Sequence, residues 1–142
     1  MNKKSPPSGC TRHHLLRVYY EDTDAGGVVY YANYLKYLER GRTEFLRALG
    51  FEQRQLAEDT SLAFAVRSLN AEYLRPARLD DQLEVLTAIE ALGRAQVTFA
   101  QSIRRGDEAL LTATVRVACL DLEKGKPAAI PANILAQLAA QQ

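Results

Sequence analysis

Asp22-Thr23-Asp24-Ala25-Gly26-Gly27-Val28-Val29-Tyr30-Tyr31-Ala32-Asn33, running straight into the apolar-patterned residues 34–49, is the stretch on which the fold turns. From Tyr34 the apolar positions recur at Leu38, Gly41, Phe45 and Leu49, in steps of four, three, four and four, which lays them along one side of a helix. Asn33 suits the N-cap of that helix and Gly50 the position just past its end. The first N–H groups of a helix lack intrahelical partners and carry partial positive charge, so this end attracts anions. Gly26 and Gly27 let backbone approach a bound group closely, and Asp24 stands within reach of whatever is held there.

Working outward, residues 14–20 are bulky and apolar and read as a strand leading into the glycine motif, and residues 51–61 as a loop or short helix. Residues 62–73 read as a second strand, punctuated by Pro76. Leu83, Val85, Thr87 and Ile89 alternate against Glu84 and Glu90; Val97, Phe99 and Ile103 mark the next run, and Leu111, Ala113, Val115, Val117 and Cys119 the last. Gly93 and Gly106-Asp107 fall at hairpin spacing between these runs, so the C-terminal half reads as an antiparallel meander. Pro131 and the alanine-rich residues 132–142 predict a short terminal helix that frays. About five strands and one long apolar helix require a sheet that curls around the helix, an α+β architecture.

The length of 142 residues fits one domain that buries about two thirds of its unfolded surface. The expected division is a disordered tail over residues 1–12 and a single domain over residues 13–142. With 18 basic and 17 acidic side chains there is no global field to draw the chain onto nucleic acid or an anionic membrane. Cys10 and Cys119 match no metal-ligand spacing, so neither a zinc site nor a disulfide framework is expected. The first ten residues lack a signal-type apolar run and nothing approaches a membrane span, which predicts a soluble, cytoplasmic protein without membrane insertion.

Read together, Arg17-Val18-Tyr19-Tyr20-Glu21, the acid-and-glycine motif and Tyr37-Leu38-Glu39-Arg40-Gly41-Arg42-Thr43-Glu44 resemble the hot-dog-fold acyl-CoA thioesterases. The likeness is to the 4-hydroxybenzoyl-CoA thioesterase family and its Tol-Pal-associated branch, and it continues more weakly through Leu74-Arg75-Pro76-Ala77-Arg78-Leu79-Asp80-Asp81 to cover most of the chain. The resemblance implies a curled antiparallel sheet wrapped around one central helix. It implies hydrolysis of an acyl-CoA thioester to a carboxylic acid and coenzyme A, with no metal and no cofactor. Asp24 matches the catalytic acid, as nucleophile or as general base toward water. The main-chain N–H of Tyr31 matches the oxyanion donor, with Gly26 and Gly27 allowing close approach. Relatives carry His or Tyr at the Tyr31 position, which leaves a main-chain role intact and a side-chain role in question.

Other residues carry weaker signals. Asp22 reads as a local cap for the turn rather than as a second catalytic carboxylate, since two close carboxylates raise one another's pKa. Tyr19, Tyr20, Tyr30, Tyr34 and Tyr37 read as plain core or as an acyl-pocket lining. Arg42 falls inside the apolar arc of the helix and needs a partner, for which Glu39 is the nearest candidate in sequence; the pair reads as a simple ion pair or as a buttress for the motif. Arg67, Arg75, Arg78, Arg94, Arg104 and Arg105 are candidates for the phosphates of coenzyme A. His13 and His14 lie near the tail, outside the motif and the helix, which argues against a histidine-dependent dehydratase. A binding or scaffold protein for acyl-CoA or acyl carrier protein, in a membrane-lipid context, is the alternative reading. The long alternating strands leave edges to cover, so a homodimer or homotetramer is expected.

Overall fold

The computed structural model describes residues 11–142, so residues 1–10 of the tail expected over residues 1–12, Met1 and Cys10 among them, lie outside it. The elements run β1 (Arg12–Arg17), α1 (Asn33–Ala48), α2 (Gln53–Thr60), β2 (Leu62–Tyr73), β3 (Gln82–Leu92), β4 (Gln96–Arg105), β5 (Glu108–Asp121), β6 (Lys126–Pro127) and α3 (Ala132–Ala139). The sheet has the order β1-β3-β4-β5-β2, with β6 paired to β5, and its neighbours are antiparallel throughout. This is the curled hot-dog sheet around a long helix.

The meander is set by which face each residue presents. Val85 pairs with Ile103 and Ile89 with Phe99 across β3 and β4; Phe99 then pairs with Val115, and Ile103 with Leu111, across β4 and β5. All six side chains are buried, so a one-residue slip would turn this set to solvent. The two-residue connection Gly106-Asp107 needs its glycine, because φ there is +61°.

Helix α1 lies across this surface with Tyr34, Tyr37, Leu38, Gly41, Arg42, Phe45 and Leu46 inward. Phe45 meets Phe99 edge-on, ring centroids 5.7 Å apart. Gly41 is the point of closest approach: a Cβ there would lie 2.7 Å from Val85 Cγ1 and 2.9 Å from Thr87 Oγ1. The helix thus reaches the sheet only where no side chain intervenes.

Three sequence expectations are corrected. The first strand runs from Arg12 to Arg17 rather than from His14 to Tyr20, and it stops early because the Asp22 carboxylate accepts the Tyr19 N–H at 2.8 Å and draws residues 20–22 into a 3₁₀ turn. The helix N-cap is Ala32, in helical geometry and without a side-chain cap; Asn33 is the first helical residue and its amide serves elsewhere. The terminal helix docks: Ile134 and Leu138, one turn apart, are both buried in the core. His13 and His14 lie on β1, with His13 Nδ1 2.6 Å from Glu84 Oε2.

Candidate active site

Residues 22–31 form a short ribbon that doubles back on itself. Thr23 bridges to Val29 and Val28 to Arg78 in isolated antiparallel pairs. Asp22 is the anchor: its carbonyl accepts the Tyr30 N–H at 3.0 Å and the Asn33 Nδ2–H at 2.8 Å, tying both strands of the ribbon to the start of α1. Asn33 is therefore a positioning residue that sequence reasoning took for a cap. Among the described residues the buried Tyr37 hydroxyl has no partner in hydrogen-bonding geometry, and burial, with Asp22 nearby, strongly disfavours its ionisation.

At the tip, Asp24 is exposed and its carboxylate is oriented by its own turn. Oδ1 accepts the Gly26 N–H at 2.9 Å and sits 3.4 Å from the Val28 nitrogen, while the Asp24 N–H donates to the Val28 carbonyl at 2.9 Å. Oδ2 has no protein partner among the described residues. Gly27, at φ +80°, supplies a left-handed step a side chain would strain, and a Cβ on Gly26 would lie 3.3 Å from Asp24 Oδ1. The glycine pair is what lets the turn close on the carboxylate.

Tyr31 is largely exposed, and its N–H donates to no backbone carbonyl among the described residues, whereas the neighbouring Tyr30 and Asn33 N–H groups are both taken. Its carbonyl accepts the Tyr73 hydroxyl at 2.9 Å, and Tyr73 stands edge-on to Tyr34 with centroids 5.4 Å apart. The bond fixes the peptide plane beside the free donor. Tyr73→Phe keeps the ring and removes that bond, so kcat is expected to fall about tenfold with KM little changed, the worth of one hydrogen bond. A matching rise in KM would mean that Tyr73 acts on binding instead.

The turn at residues 76–81 supports the ribbon from below. The Tyr34 hydroxyl accepts the Ala77 N–H at 2.9 Å, and the Ala77 carbonyl accepts the Val29 N–H at 2.9 Å. Arg105 bonds Asp81 and Glu108, each at 2.7 Å. Burial opposes the charge of Asp81, but the Arg78 N–H and the Arg105 guanidinium outweigh it and hold the carboxyl below the usual carboxylate range. Arg105 is thus committed to structure, as are Arg75, paired with Glu108 at 3.1 Å, and Arg67, bonded to Gln96 at 3.1 Å. Arg78 carries no side-chain ion pair among the described residues and stands opposite Val28.

The tyrosines divide. Tyr34 and Tyr37 are core, while Tyr19, Tyr20 and Tyr30 are exposed around the ribbon. The expected Glu39–Arg42 ion pair does not form. Arg42, 8 % exposed, donates from Nη1 to Gln101 Oε1 at 2.9 Å, and Gln101 Nε2 in turn donates to Leu38 O and Thr87 Oγ1. A partner 59 positions away in sequence leaves no local signal. A cavity of about 170 Å³ opens beside Arg42, between α1 and β2, and no residue of 22–31 lines it.

Among the described residues no helix is long and apolar enough to cross a membrane. Residues 18–138 match the thioesterase-like superfamily. The acyl-CoA thioesterase YbgC of Haemophilus influenzae is 50% identical over 121 residues, covering 85% of this chain and 89% of the relative. The acyl-CoA thioester hydrolase YbgC of Escherichia coli is 48% identical over 123 residues, covering 86% and 91%. The crystal structure of a probable thioesterase from Bartonella henselae superposes with a TM-score of 0.83 at 41% identity, covering 86% of this chain and 100% of that one.

Proposed function

The chain belongs to the thioesterase-like superfamily and is an acyl-CoA thioester hydrolase, and from that premise we propose that Asp24 and the Tyr31 N–H carry the reaction. The observation that carries this reading is the pairing, on one ribbon, of a carboxylate with one oxygen free and a main-chain donor with no acceptor among the described residues. The thioester oxygen takes the Tyr31 N–H, which stabilises the charge that grows on it as the carbonyl carbon is attacked. Asp24 Oδ2 either attacks that carbon or removes a proton from the water that does. The coenzyme A thiolate leaves, and water supplies the hydroxyl of the released acid. Oδ1, held by Gly26, keeps the other oxygen pointed outward throughout.

Arg78 supplies a cation for the coenzyme A phosphates, since it is free of ion pairs among the described residues and sits against the ribbon at Val28. The carrier is coenzyme A or acyl carrier protein, and the protein acts in the cytoplasm. Released thiol, measured with a panel of short aliphatic, long aliphatic and aromatic thioesters, tests the reading directly. Tight binding of every thioester with no thiol release would replace it with a binding-protein role.

The protein works as a homodimer or a homotetramer. Strand β2 is a sheet edge of 12 residues that exposes Val66, Leu69 and Tyr73, and a long apolar edge of this kind is a site of aggregation unless covered. A second copy, related by a two-fold axis, covers it by antiparallel pairing. Light scattering at micromolar concentration is expected to give at least twice the chain mass, and Leu69→Lys to shift it toward the monomer. A monomeric mass for the unaltered chain would rule the assembly out.

A further inference from the structure

The cavity between α1 and β2 is walled by Glu39, Arg42 and Leu46 from the helix, by Phe64 and Val66 from the strand, and by Phe99 from the floor of the sheet. Its volume of about 170 Å³ is slightly above the roughly 150 Å³ that holds a benzene-sized guest, so a fragment of about six carbons fits. The walls are mainly apolar. The polar lining is Glu39, Arg42 and Gln53, and of these Arg42 is more than nine-tenths buried, yet among the described residues only one of its five N–H donors has a protein acceptor, the Gln101 amide oxygen. Glu39 lines the same cavity without pairing with it, close enough that its charge partly offsets the cost of burying the guanidinium. A buried guanidinium with spare donors in an apolar cavity is poised to receive an acceptor atom.

Position along α1 fixes what can reach it. At about 1.5 Å per residue, Glu39 lies about 9 Å and Arg42 about 13 Å along the axis from Asn33, at the start of the helix. An aromatic ring joined directly to a thioester carbonyl at Tyr31 ends short of this cavity. An aliphatic chain laid along the flank of α1 has the length to reach it.

We propose that this cavity receives the far end of an aliphatic acyl group, and that Arg42 selects acyl ends bearing a hydrogen-bond-accepting oxygen over plain hydrocarbon ends. The inference rests on the assignment of the thioester to Asp24 and Tyr31, and it names the class of substrate for that site. Arg42 is a specificity residue: it meets the substrate away from the bond that breaks. A site built to bond an oxygen rejects an analogue without one, because its donors are then left buried and unpaired.

The test compares coenzyme A thioesters of matched chain length, unsubstituted and hydroxylated at the far end. For the unaltered protein, kcat/KM is expected to favour the hydroxylated member by about ten- to a hundredfold, the range of one charged hydrogen bond. In Arg42→Met the ratio is expected to fall to about one, and in Arg42→Lys, which keeps the charge but not the fork, to an intermediate value. A ratio at or below one in the unaltered protein overturns the proposal, as does a ratio that Arg42→Met leaves intact. If Arg42→Met does not fold, the ratio in the unaltered protein decides alone. The ratio of Kd values for non-hydrolysable thioether analogues reads the same selection without turnover. Hydrolysis retained in Asp24→Asn with that Kd ratio preserved would overturn the catalytic assignment and leave the cavity's role standing, whereas hydrolysis lost in Asp24→Asn with no selection in either measure would do the reverse.

Discussion

Asp24→Asn is expected to lower turnover of acyl-CoA thioesters by at least about a thousandfold while leaving the protein folded. The substitution isolates chemistry from structure. The Asn side-chain oxygen still accepts the Gly26 N–H, so the turn and its glycine geometry persist, and the melting temperature stays within a few degrees. What is lost is the negative oxygen that faces outward, and an amide is neither a nucleophile nor a base at neutral pH. Because the Tyr31 N–H is main-chain, it is untouched by the change, so KM should move far less than kcat. Thiol release by the variant at more than a tenth of the original rate would remove Asp24 from the mechanism.

Gly41→Val is the largest expected effect on stability, about 3 kcal/mol or more, which corresponds to a fall in melting temperature on the order of 10 °C. Even a single added carbon meets Val85 Cγ1 and Thr87 Oγ1 at distances that real side chains do not tolerate, and both belong to β-branched residues with stiff first torsions. Gly41→Ala gains about 1 kcal/mol of helix propensity, so its net loss is smaller. The valine variant must push α1 away from β3 or rotate it, and α1 begins at the ribbon that carries Asp24 and Tyr31. Activity is therefore expected to fall with stability. A valine variant that melts with the unaltered protein in a thermal scan would show that the sheet yields at this point.

The parts of the fold legible in the sequence are those whose residues speak through periodicity. The inward face of α1 and the meander from Gln82 onward follow from the spacing of apolar side chains, and the strand over Leu62–Tyr73 is bounded by the Pro76 that punctuates it. The motif residues were legible as a group, because acid, glycines and helix start are adjacent in the chain. Illegible were the features set by contacts between distant segments or by competing side-chain bonds. Asn33 looks like a cap from its neighbours, but the carbonyl of Asp22 recruits its amide. Arg42 looks like a partner for Glu39, but Gln101 on β4 takes one of its donors. The alanine-rich C-terminal helix gives no hint that Ile134 and Leu138 seal the core, since nothing local says what those two side chains cover. The cavity between α1 and β2 has no signature at all.

Asp24 draws its aim from amides within its own five-residue turn, while the hollow beside Arg42 is shaped by a helix and a strand that contribute nothing to that turn. On the assignments proposed above, the turn that aims Asp24 and the hollow that selects the acyl end are shaped by different segments, while the Tyr31 donor stays tied to β2 through Tyr73. Lineages, or laboratory selections, that reshape the hollow away from Tyr73 leave the Asp24 turn undisturbed, so divergent substrate ranges are expected to accumulate on an unchanging turn.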